Sequence, residues 1–104
     1  RILAVYEAHS FSRTKALLSK YKGVFDSADK VVIGPIFKAR DTQKFGMSPH
    51  LIASVSGHKD VKAFDDLQEM MRYIKNGLSV RDIVIVMGAG KSYLWAREIC
   101  NLKI

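Results

Sequence analysis

The chain has 104 residues, enough for one domain and too few for two. Hydrophobic residues make up 48% and aromatic residues 10%, which excludes a disordered polar tail. Lys and Arg number 17 against 10 Asp and Glu, a net charge of +7, but the cations are scattered among acids and apolar neighbours, the pattern of a solvated basic surface rather than of a nucleic-acid partner.

Ile2-Leu3-Ala4-Val5-Tyr6 is a continuous apolar run of strand length. Thr14 to Phe25 reads as a helix capped by Ser12, with Leu17, Leu18, Tyr21, Val24 and Phe25 on one face. Lys30 to Ile33 is a second strand, stopped by Gly34-Pro35, and residues 38–47 read as a loop. Ser48 can cap a helix that has Pro49 at its first position and ends near Ser56 at Gly57. Val61 to Phe64 is a short strand. Asp65 then caps a helix with Leu67, Met70, Met71 and Ile74 on one face and Gly77 at its end. Ile83 to Val86 is the fourth strand, followed by Gly88-Ala89-Gly90 and a last helix from Ser92 to about Asn101.

Strands alternating with helices predict an α/β fold: an open, mostly parallel, Rossmann-like sheet with helices on both faces. Continuously apolar strands fit burial on both sides. Ligands of such sheets bind at the carboxyl ends of the strands, here residues 7–13, 34–41, 65 and 87–92. One cysteine, Cys100, excludes an intrachain disulfide, fits a reducing compartment, and is expected to be a buried, inert thiol of the last helix. No apolar run nears the roughly 20 residues of a membrane helix. Residues 2–6 are too short for a signal-peptide core, and no membrane partner is expected. A chain that opens on Arg1 rather than Met reads as a fragment of something longer.

The Gly88-Ala89-Gly90 turn leaves a strand and enters a helix, a context that suits a phosphate. Tyr93 stands where the dinucleotide fingerprint needs its third Gly, and Ile85 stands where a P-loop needs its first. A tight strand-to-helix turn explains the same glycines, with Lys91 able to reach an anion from the mouth of a site. Residues 7–14 are the richest stretch. Arg13 would sit at a helix N-terminus, where a cation opposes the helix dipole, and its forked donors suit a carboxylate or phosphate. His9 could donate, accept or simply cap backbone. His50 and His58 show no metal-ligand spacing, and no metal site is expected. Asp65-Asp66 reads as a cap, Tyr93 and Trp95 as packing, and no catalytic residue is assigned.

Three blocks resemble the C-terminal domain of the Mur ligases, in particular of the alanine-adding type. Residues 5–15, Val-Tyr-Glu-Ala-His-Ser-Phe-Ser-Arg-Thr-Lys, are similar to the family's F-Q-P-H-R-Y-T-R-T. Residues 28–33 and 35–41 are similar to A-D-x-V and I-Y-x-A-R-E, and Gly46-Met47-Ser48 to G-V-S. Residues 82–90 are similar to D-x-V-L-x-M-G-A-G. The resemblance spans nearly all of residues 1–104. It implies an amino-acid-binding, closing domain that lacks its opening segment, with the central and UDP-binding domains elsewhere. The enzyme would be cytoplasmic and would use ATP and Mg²⁺, held mostly by the central domain, to join UDP-N-acetylmuramate to L-alanine in peptidoglycan synthesis. It implies His9, Ser10 and Arg13 as substrate-binding residues, Arg13 toward the amino-acid carboxylate. Ser10 replaces the motif's first Arg, and Lys91 stands where the family has Asp or Asn. Glu7 with Ser10 is somewhat like murein peptide ligase, an alternative reading. A stand-alone nucleotide- or anion-binding module is another. On any ligase reading, residues 1–104 alone are expected to be inactive.

Overall fold

A computed structural model describes residues 1–103. The strands are β1 (Ile2–Tyr6), β2 (Lys30–Ile33), β3 (Val61–Ala63) and β4 (Ile83–Met87). The helices are α1 (Phe11–Leu17), α2 (Pro49–Ser56), α3 (Leu67–Gly77) and α4 (Ser92–Cys100), with a 3-10 turn at Leu18–Tyr21. All strand pairs are parallel and the sheet order is β3-β2-β1-β4. This is the open Rossmann-like α/β arrangement. The chain lays β2 and β3 to one side of β1, then returns through α3 to place β4 on the other. The strand order therefore reverses beside β1, the position where such sheets leave a crevice at their carboxyl edge.

The apolar strands explain the layers. Leu3, Val5 and Val32 point to one face, against Met70, Met71 and Ile74 of α3 and Trp95 and Ile99 of α4. Ala4, Val31 and Ile33 point to the other, against Ile52 of α2 and the Tyr21–Phe25 segment. Gly34 is glycine because a Cβ there would run into the Trp95 ring and Met70 Sδ. Ser48 caps α2 as its position predicts, its Oγ accepting from the Leu51 amide at 3.2 Å, and Gly57 closes it with φ 66°.

Several expectations need correction. α1 begins at Phe11 and is capped by Ser10, not Ser12, because the Ser10 hydroxyl takes the Arg13 amide. It ends at Leu17; the 3-10 turn and a left-handed Gly23 (φ 73°) replace the rest of the expected helix, so Tyr21 and Phe25 are buried while Leu17 and Val24 are exposed. Asp66, not Asp65, caps α3, its Oδ1 accepting from the Gln68 and Glu69 amides; Asp65 lies on the surface beside His50. β3 stops at Ala63, and β4 runs on to Met87. β4 is not covered on both sides. Val84 and Val86 pack inward, but Ile83 and Ile85 are 60% and 45% exposed, and Ile85 borders an open apolar groove with Tyr6, Tyr21 and Phe25. Cys100 is exposed, because Trp95 and Ile99 take the packed face of α4. Tyr93 is also exposed, with the Arg97 guanidinium 5.7 Å from its ring centre. No helix among the described residues is long and apolar enough to cross a membrane.

Candidate functional site

The loops after β1, β2 and β4 meet at the carboxyl edge of the sheet. Glu7, the first residue past β1, is buried and extends its carboxylate under the glycine turn. Oε1 accepts from the Gly90 and Ser92 amides and Oε2 from the Lys91 amide, each at 3.0 Å. These are the outward-pointing N–H groups that would hold a phosphate at a helix N-terminus. The protein's own carboxylate occupies them. The two glycines are required by close approach. A Cβ on Gly88 would lie 2.8 Å from both Glu7 Cβ and Ser92 Oγ, and one on Gly90 would collide with the Phe37 ring. The turn is therefore structural, and Glu7 is its key residue. No local pattern in the sequence ties Glu7 to a turn 83 residues away.

The turn from β1 into α1 carries the three residues expected to bind substrate. Ser10 has φ 64° and ψ 150°. Few residues other than glycine adopt that backbone region, and it costs about 1–3 kcal/mol. Its surroundings hold it. Ser10 N donates to the Phe37 carbonyl at 2.7 Å, and the buried Thr14 donates to the Ser10 carbonyl from both N (3.2 Å) and Oγ1 (2.7 Å). The Ser10 hydroxyl accepts the Arg13 amide at 3.1 Å. His9 is half-buried against Phe37, ring centres 5.4 Å apart, and its buried Nδ1 has no hydrogen-bond partner among the described residues. Arg13 stands exposed in the first turn of α1, which contains no acid. Its guanidinium makes no hydrogen bond or ion pair among the described residues, whereas Arg1 pairs with Asp82 at 2.7 Å.

Asp41 supplies the acid that α1 lacks. Its Oδ2 accepts from the Phe11 and Ser12 amides (Ser12 at 3.0 Å), and Oδ1 from the Ser12 hydroxyl at 3.0 Å. The Ser12 amide above all, with the Ser12 hydroxyl, the Phe11 amide and nearby His9 assisting, holds the Asp41 carboxyl below the usual carboxylate range. Asp41 thus serves α1 rather than its neighbour Arg40, which is exposed. Lys91, whose amide donates to Glu7, lines a cleft of about 370 Å³ together with Pro35, Phe37, Lys38 and Trp95. The other histidines stand apart. His58 Nδ1 accepts from the Asp60 amide, so its Nε2 proton serves the Ala28 carbonyl at 2.8 Å, a structural role. Among the described residues no three His, Cys, Asp or Glu side chains cluster as metal ligands do.

No protein-family model matches the chain. Curated proteins do. A UDP-N-acetylmuramate–L-alanine ligase of Caldanaerobacter subterraneus is 36% identical over 95 residues, which cover 89% of this chain and 21% of that protein. The ligase of the same name from Desulfitobacterium hafniense is 38% identical over 96 residues, with the same coverage. That of Fusobacterium nucleatum is 29% identical over 101 residues, 97% of this chain and 21% of the relative. The chain is a Mur ligase homologue. It spans about a fifth of the length of these relatives, the size of one domain. The Mur ligase resemblance therefore extends across both the His9–Arg13 turn and the Glu7-filled glycine turn.

Proposed function

We propose that residues 1–104 are the amino-acid-binding, closing domain of an ATP-dependent ligase that joins UDP-N-acetylmuramate to L-alanine. The observation that carries this reading is the Arg13 guanidinium. It is exposed, unpaired among the described residues, and presented from a strained turn in which the Ser10 hydroxyl and carbonyl are already bonded. A forked cation held this way fits a carboxylate. His9, four residues earlier in the same turn and with a buried Nδ1 that lacks a partner, is the second candidate contact. Ser10 supports both through the turn, its hydroxyl being committed to the Arg13 amide. The amine of the bound amino acid would then be directed at an activated muramyl carboxyl group. A cytoplasmic setting goes with a nucleotide-linked substrate.

ATP and Mg²⁺ do not fit the residues described here. The amides that could grip phosphates hold Glu7, and no acidic cluster offers a metal its ligands. Other parts of the longer protein would hold them, and this chain alone would not catalyse ligation. The same occupancy weighs against a stand-alone phosphate-binding module. The test is Arg13→Ala in the full-length protein. If about 1.5–3 kcal/mol of charged hydrogen bonding is lost, the KM for the amino acid rises roughly tenfold to a hundredfold. An unchanged KM overturns the assignment.

A further inference from the structure

Asp41 stands outside the motif that carries Arg13, on the loop after β2, yet all of its hydrogen bonds described above go into that motif. The loop is shaped to deliver it. Ala39 and Phe45 on either side have positive φ (55° and 54°), as does Ser10 in the turn it meets (64°). Three non-glycine residues in the left-handed region thus sit in two segments, and the Asp41 carboxylate links those segments. The Ser10 hydroxyl caps only the Arg13 amide, so Phe11 and Ser12 depend on Asp41 for an acceptor. Both Asp41 oxygens are engaged by the Phe11 and Ser12 donors, and neither bonds the Arg13 side chain. The carboxylate therefore offsets the positive end of α1 and stiffens its first turn while leaving the guanidinium available.

We propose that Asp41 is a positioning residue of the amino-acid site: it clamps the Ser10–Arg13 turn so that Arg13 and His9 are held in place before the ligand carboxylate arrives. This rests on the reading of Arg13 given above. Without the clamp the first turn of α1 loosens, Ser10 relaxes toward an ordinary backbone, and Arg13 samples positions from which it cannot reach the ligand. A loss of preorganisation of this kind weakens amino-acid binding while leaving the nucleotide untouched.

The test compares Asp41→Asn, Asp41→Glu, Ser12→Ala and Arg13→Ala in the full-length protein that contains this chain. The KM for L-alanine should rise about tenfold in Asp41→Asn and less in Ser12→Ala, with Asp41→Glu nearer the parent and the KM for ATP unchanged in all. Amide exchange read on the same variants should quicken at Phe11, Ser12 and Arg13 and stay slow at Ala4 and Val5 of β1. A rise in the alanine KM for Arg13→Ala but not for Asp41→Asn overturns the positioning role and leaves the amino-acid reading intact. No rise for Arg13→Ala overturns that reading and the Asp41 role with it. Exchange that quickens equally in β1, or an ATP KM that rises in step, shows a general loss of fold and overturns the role too. Ser12→Ala keeps the test open if Asp41→Asn fails to fold, because it removes one of the three donors and leaves the carboxylate in place.

Discussion

Glu7→Ala removes the acceptor of three N–H groups in one step, and the structure sets the size of the loss. Ser92 is buried, so its amide is left without water or partner, at a cost of about 1–3 kcal/mol. Lys91 is exposed and Gly90 half-exposed, so water can replace the carboxylate there, and each forfeits the net value of its bond, about 0.5–1.5 kcal/mol. The sum is about 2–6 kcal/mol. At about 4–8 °C per kcal/mol for a domain of this size, the melting temperature falls by at least roughly 8 °C. Glu7→Gln keeps Oε1 for Gly90 and Ser92 and faces only the Lys91 amide with a donor, so it costs about 1–2 kcal/mol. Thermal and urea unfolding followed by circular dichroism measure both. Inorganic phosphate, against chloride of equal ionic strength, should raise the melting temperature of Glu7→Ala and leave the parent unmoved, because only the variant has its turn amides vacant. A Glu7→Ala that melts with the parent, or a parent that phosphate stabilises more than its variant, refutes the account of this turn.

Gly34→Ala forces a methyl group against the Trp95 ring and Met70 Sδ, and should cost about 1–3 kcal/mol with a red shift of Trp95 fluorescence; an unshifted spectrum at parental stability contradicts that packing. Burial first, then the hydrogen bond with Tyr6, raises the Tyr21 phenol above its ordinary value, so its stabilising effect is complete below about pH 10 and fades as pH climbs beyond it. Ultraviolet titration should show a phenol that resists ionisation until the fold gives way, and Tyr21→Phe should remove that laggard; a titration that Tyr21→Phe leaves unchanged in shape would count against it. Asp41, held down chiefly by the Ser12 amide, and Asp82, held down chiefly by Arg1, favour the fold above their unfolded pKa near 4 and lose that effect as pH falls below it. Asp82→Asn should therefore flatten the acid limb of the stability curve below about pH 4 and leave its shape near neutrality unchanged, as read by melts across pH.

The fold was legible where local chemistry and tertiary packing agree. Ser48-Pro49 and Gly57 bracket α2 through their own backbone preferences, and the apolar runs at residues 2–6 and 30–33 become strands whose central residues are buried from both sides. The end of α1 was not legible: its apolar spacing continues to Phe25, but burying Tyr21 and Phe25 against α2 is achieved by a 3-10 turn and a left-handed Gly23 instead. Exposure on β4 and α4 likewise depends on which neighbours lie above them, which separates buried Ile99 from exposed Cys100. At the site, Arg13 could be suspected because a cation at a helix start is out of place. Its supports could not, because the bonds of Asp41 to Phe11 and of Glu7 to Gly90 cross 30 and 83 residues and leave no periodic trace.

The central claim is that Arg13 reads a carboxylate. The most direct measurement compares L-alanine with L-alaninamide as acceptors for the full-length protein and for Arg13→Ala. The account predicts that the parent prefers L-alanine and that the preference collapses in the variant, mainly through the KM for L-alanine. An Arg13→Ala protein that discriminates between the two acceptors as strongly as the parent would contradict it.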